Sequence, residues 1–207
     1  MSFFEHLPFN WFDILIVIFV IIGIRRGRKH GMSEELIGML AWLSIAIGCS
    51  VLYDPLGTML SQSSVFSLLA SYVMVYIGAA ALIWVLSVWI KKALGGKLLG
   101  SDVFGGTEFY LGMVAGVVRM TCILIAGLAL MNARLYTSAE IAADKKYQND
   151  WYSNTLFPRF YELQAQVFNQ SLAGPWIKRD LGFLLIKPTP ALDKPIERKE
   201  RQVFASP

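Results

Sequence analysis

Charge is scarce in this chain: Asp, Glu, Lys and Arg make up 16% of its 207 residues, against about 25% in an ordinary soluble domain. Two cysteines, Cys49 and Cys122, each inside an apolar run, exclude a disulfide framework and behave as small hydrophobes in helix contacts. The two histidines, His6 and His30, have no metal-ligand spacing around them, and there is no GxSxG and no Walker loop. An enzyme is therefore not expected, and no catalytic, metal or cofactor-binding residue is assigned. The net charge is only +4 and the basic residues stand in short clusters, which argues against a nucleic-acid partner. Met1 to Asn10 has no Lys or Arg, so it lacks the basic start of a cleaved signal peptide and the first apolar run is expected to be retained.

What the chain has is apolar surface: 55% hydrophobic residues and a mean hydropathy of +0.50. These residues fall in four blocks, so the expected fold class is all-α, a polytopic bundle of about four transmembrane helices with a C-terminal amphipathic helical tail. The spans are placed at about 10–25, 35–53, 65–90 and 109–131, within a transmembrane domain of residues 1–131. Block one is short, about 16 residues where roughly 20 are needed; it either crosses with little tilt, thins the bilayer, or dips into the interface. Block two follows Ser33, Glu34 and Glu35, which supply a cap and first-turn acids. Val65 to Ile90 is the clearest span, 26 consecutive residues without a charge.

Lys and Arg gather in alternate links. Arg25, Arg26, Arg28 and Lys29 lie between blocks one and two and Lys91, Lys92 and Lys97 between three and four, whereas Asp54 to Ser64 holds none. Basic residues resist translocation, which puts the first and third links in the cytoplasm and both termini outside. The run Arg25 to His30 either only orients the helix or also meets anionic headgroups.

Residues 132–187 form an extracytoplasmic helical segment. Leu156, Phe160, Leu163 and Val167 recur at helical spacing, widened by Phe157, Phe168 and Leu172. This stripe packs on the outer face of the membrane, on the ends of the spans, or on a second copy. Residues 188–207, with Pro188, Pro190 and Pro195 among charges, read as a flexible end.

Gly23 with Gly27, and Gly112 with Gly116, make two GxxxG spacings that let helix backbones approach in lipid. Arg119 is the sharpest polar feature, since an ionised group inside a span faces a bundle interior, a watery cavity or an acidic partner. Glu108 on the same helix is about 16 Å away and too far; Asp13 is within reach only if Arg119 points outward.

Three stretches together resemble the CvpA family, the colicin V production proteins. One is an aspartate opening an apolar run that ends in G-x-x-R-G, here Asp13, Gly23, Arg26 and Gly27, followed by Gly31 and Glu35. The second is T-[DE]-x-x-x-G-x-x-x-G-x-x-R, here Thr107, Glu108, Gly112, Gly116 and Arg119. The third is W-x4-L-x-P-x-F, here Trp151, Leu156, Pro158 and Phe160. The chain departs from the family at Phe109, where arginine is usual, and at Met120, where glycine is usual, so a charge-pair role at the one and a close-packing role at the other are not carried over. The resemblance implies a bacterial inner-membrane protein serving production or export of a colicin-type toxin and, in carriers without a toxin, envelope maintenance. Expected partners are the lipid bilayer, a second copy through the GxxxG faces, and envelope or export proteins. Two readings of the activity stand open, a non-enzymatic scaffold or accessory factor and an oligomeric pore lined by the fourth helix.

Overall fold

The computed structural model describes residues 10–62, 66–99, 105–138, 140–141 and 159–190. Three helices are long and apolar enough to cross a membrane: α1 (Trp11–Ser61), α2 (Leu68–Leu99) and α3 (Glu108–Asn132). The tail adds β1 (Arg134–Leu135), α4 (Phe160–Ala165), α5 (Ala173–Asp180) and β2 (Thr189–Pro190).

An unbroken helix of 51 residues would run about 76 Å at 1.5 Å per residue, more than twice the roughly 30 Å hydrocarbon core. Gly31 breaks it. Its φ of 70° and ψ of 175° are not helical, and a side chain there would clash with the following carbonyl, so glycine fits the turn. The break makes two arms, 11–30 and 32–61, and both lie on α3. Gly23 and Gly27 of the first arm meet Gly116 and Gly112, and Gly38 of the second meets Arg119. The second arm also packs antiparallel on α2, with Gly48 against Ile83 and Gly57 against Tyr72. α2 and α3 scarcely touch each other, so α1 is the centre of the bundle.

Two span boundaries differ from expectation. The segment from Asp54 to Ser61, read as a link, continues the helix with Pro55 inside it, and the Thr58 hydroxyl shares its proton between the carbonyls of Asp54 and Pro55, each at 2.9 Å. Around Gly31 the basic link is helical on either side rather than a loop.

Large apolar side chains face outwards on every long helix: Trp89 is 72% exposed, Val51 65% and Leu82 62%. Leaving each in water would forfeit about 1.5–3 kcal/mol, so these faces require hydrocarbon. Between the helices, Phe12, Ile45, Cys49, Tyr53, Tyr72, Tyr76, Leu128 and Ala129 form the core.

The tail closes one end of that core. Val167, Phe168, Ile177, Leu185 and Ile186 are buried in the same cluster, so the stripe packs on the ends of the helices. It is narrower than its spacing implied, with Phe160 48% and Leu172 57% exposed. The reason is local: α4 stops at Ala165 and a π-type turn, Gln166–Gln170, shifts the register before α5. Thr189 and Pro190, expected in a flexible end, pair in parallel with Arg134 and Leu135, while 191–207 lie outside the described residues. So do Trp151, Leu156, Phe157 and Pro158.

Candidate functional site

The two GxxxG faces pack on each other within one chain. Numbers rise along one helix as they fall along the other, Gly23 facing Gly116, Gly27 facing Gly112 and Gly31 facing Glu108. A β-carbon on Gly112 would stand 2.5 Å from the Gly27 carbonyl oxygen, and one on Gly23 would stand 2.8 Å from that of Gly116. Backbone meets backbone, and no rotamer change relieves the overlap. The faces expected to join copies are therefore occupied inside the chain and are not free for a second copy.

At the Gly31 end this contact opens onto a charge cluster. Glu35, only 2% exposed, accepts from Arg26 Nε at 2.8 Å on Oε1 and from Arg119 Nη1 at 2.7 Å on Oε2. His30 Nδ1 lies 2.9 Å from the Arg26 carbonyl and 3.8 Å from Glu35 Oε1. Arg26 belongs to the first arm, Glu35 to the second and Arg119 to α3, so one carboxylate ties three helical segments. Side chains lean towards the N-terminus of their own helix, which carries the Arg119 guanidinium back towards Glu35. Gly38 gives it room, since a β-carbon there would stand 3.0 Å from Nη1. Arg119 is thus partnered by Glu35 and not by Asp13.

Asp13 makes a second knot at the tail end. Its carboxylate, on a residue 7% exposed, accepts from Asn10 N at 3.0 Å, Leu172 N at 3.2 Å and Ala173 N at 3.2 Å. It caps the start of α1 and the start of α5 together, the position where an acid is favoured. Around it Trp11 Nε1 donates to Gln166 Oε1 at 2.8 Å and Asn10 Nδ2 to the Gln166 carbonyl at 3.1 Å. Gln164 Nε2 donates to the carbonyls of Met131, in the last turn of α3, and Arg134, in β1. Asn132 Nδ2 donates to the Ile186 carbonyl at 2.9 Å. At the rim Lys187 Nζ meets Asp54 Oδ2 at 2.6 Å, and that carboxylate, accepting a hydrogen bond, holds the exposed ammonium above its ordinary range.

The structure brings Gly23, Arg26, Gly27, Gly31, Glu35, Glu108, Gly112, Gly116 and Arg119 together, with Thr107 at the N-cap position of α3. It sets Asp13 apart at the other end. Sequence reasoning placed Glu35 in the motif without pairing it to Arg119; the signal was available, since antiparallel glycine pairs fix the register that brings the two helices' charges together. Asn10, Asn132, Gln164 and Tyr53, whose hydroxyl accepts from Lys187 N at 3.2 Å, were missed. Only Asn10 had a local signal, a capping box with Asp13 three residues on.

Helices with lipid-facing apolar sides, a glycine contact and an internal ion cluster define a polytopic α-helical membrane protein. The family model of the colicin V production proteins matches residues 12–185, and the chain belongs to that family. No curated protein and no solved structure matches it.

Proposed function

We propose that the chain crosses the bacterial inner membrane four times, with both termini on the outer face. It acts there without catalysis, as a scaffold or accessory factor in toxin production or export and in envelope maintenance. The four spans are the two arms of α1, α2 and α3, with Arg25 to Lys29 and Lys91 to Lys97 inside. The observation that carries the reading is Glu35 joined to both Arg26 and Arg119. That ion cluster ties the two arms of α1 to α3, which makes the bundle a fixed body on which the tail presents an outer surface to envelope or export proteins. A pore lined by the fourth helix would need Gly112, Gly116 and Arg119 to face water, and these residues instead face α1.

The test is ion flux across liposomes holding the purified full chain. Flux no greater than that of empty liposomes under a membrane potential agrees with a scaffold. Flux that Arg119→Ala abolishes would establish the pore instead. Orientation is checked in whole cells: Ser61→Cys is labelled from outside and Lys92→Cys is not, and the reverse pattern would invert the topology.

A further inference from the structure

α2 and α3 both rest on the second arm of α1 without closing on each other. The groove between them has a volume of about 490 Å3 and is lined by Trp42, Ile45, Tyr76, Ala80, Trp84 and Gly127, among other apolar residues. Gly127 meets no atom within 4 Å of where its β-carbon would lie, so none of the described residues fills the space. Towards the Gly31 end a second cavity, about 240 Å3, shares Trp42 and Trp84 with the first and is lined by Arg26, Ser87, Lys91 and Arg119. An apolar slot thus adjoins a basic chamber, with the Trp42 and Trp84 rings, edge to face at 5.6 Å, on the wall between them.

The charges of that chamber do not cancel. Its lining holds Arg26, Lys91 and Arg119 and no carboxylate, and Glu35 beside it answers two of these three cations with a single negative charge. Arg26 keeps 45% of its side chain exposed, and Lys91 is exposed. A further observation lies in the groove wall. The indole N–H of Trp42 and the hydroxyl of Tyr76 are buried without a hydrogen-bond partner among the described residues, and buried donors left so are costly.

Dimensions and charge choose the occupant. From Ile77 to Lys91 along α2 is about 21 Å, enough to cover one leaflet of a roughly 30 Å core but short of both. An apolar helix of a second copy would leave the net positive chamber unanswered. We infer that the groove and chamber form a site for an anionic phospholipid of the inner leaflet. One acyl chain lies in the apolar slot, against Ala80 and Gly127. The phosphate sits among Lys91, Arg26 and Arg119, where guanidinium and ammonium groups suit its oxygens. Trp42, on the wall of both cavities, stands at the level of the ester carbonyls. The anionic lipid of the cytoplasmic leaflet thereby becomes part of the bundle, filling the face that α2 and α3 leave open.

The experiment uses the full chain in nanodiscs of phosphatidylcholine. Increasing fractions of phosphatidylglycerol or phosphatidylcholine with brominated acyl chains are added, and tryptophan fluorescence is read against a Trp42→Phe/Trp84→Phe variant that removes the groove signal. The wild type is quenched at a lower fraction of the anionic lipid than of the zwitterionic one. Lys91→Gln reduces that preference about five-fold, the worth of one basic side chain at an anionic surface, and Lys91→Arg restores it. Gly127→Phe fills the slot and lowers quenching by both lipids. The changes are at an exposed lysine and a glycine facing open space, and an unchanged thermal unfolding midpoint confirms that they leave the fold intact. Equal quenching by the two lipids, or a preference that Lys91→Gln does not move, would overturn the site. A dimer that Gly127→Phe dissolves, with lipid quenching unaffected, would assign the groove to a second copy and overturn it too.

Discussion

Each end of the bundle is held by one buried carboxylate that joins separate segments of chain, three at Glu35 and two at Asp13, and the two are partnered differently. Glu35 at the Gly31 end takes two guanidinium side chains, Arg26 and Arg119. Asp13 at the tail end takes three backbone N–H groups, those of Asn10, Leu172 and Ala173. A side-chain partner can be deleted, and its deletion strands the charge opposite. A backbone partner survives any substitution that keeps the helix start. The Gly31 end is therefore the brittle one, stabilised by a few residues that must all be present, and the tail end is the tolerant one, with its hold spread over Asn10, Gln164, Asn132 and Lys187.

That asymmetry can be broken in order of expected effect. Glu35→Ala leaves Arg26 and Arg119 uncompensated at the helix junction and should cost about 3–5 kcal/mol, seen as a large fall in the detergent unfolding midpoint; a loss no greater than that of Asp13→Ala would erase the distinction between the ends. Gly27→Ala drives a methyl group into the Gly112 backbone and should cost about 1–3 kcal/mol. Gly78→Ala, which meets no atom within 4 Å, serves as its neutral control in the same melting series.

Asp13→Ala should cost about 0.5–2 kcal/mol, the worth of a cap, and its signature is spatial. Hydrogen exchange at the Leu172 and Ala173 amides accelerates while the amides of 108–119 keep their protection. Acceleration at both ends would mean that the tail and the Gly31 junction are one cooperative unit.

The smallest effect concerns pH. Asp54 raises the Lys187 ammonium above its ordinary range, so its contribution is complete below the unfolded value of about 10.4 and is lost as pH rises through the folded value. Tail protection should be flat with respect to this pair from pH 6 to 9 and should decline in alkali, a decline that Lys187→Met removes. A loss centred near neutral pH would point to another group.

The same contrast explains what could be read in advance. Membrane class, the helix positions near 65–90 and 109–131 and the close backbone approach at Gly23, Gly27, Gly112 and Gly116 were legible, because hydropathy and glycine spacing are local patterns. The Glu35–Arg119 pair was half legible: both residues stood in motifs, but their meeting depends on the register of helices 84 residues apart. Asp13's second role was not legible, because Leu172 and Ala173 contribute only their amides, which any residue but proline carries. The continuation of α1 through Pro55 was not legible either, because Asp54-Pro55 and the absence of an apolar run after it read as a turn.

The central claim, that Glu35 and Arg119 hold the Gly31 end as a pair rather than as separate contributors, is tested most directly by a double-mutant cycle in unfolding free energy on Glu35→Met and Arg119→Met. A coupled pair predicts that the double variant is more stable than the sum of the single losses allows, by at least about 1–3 kcal/mol. Single losses that simply add would contradict it.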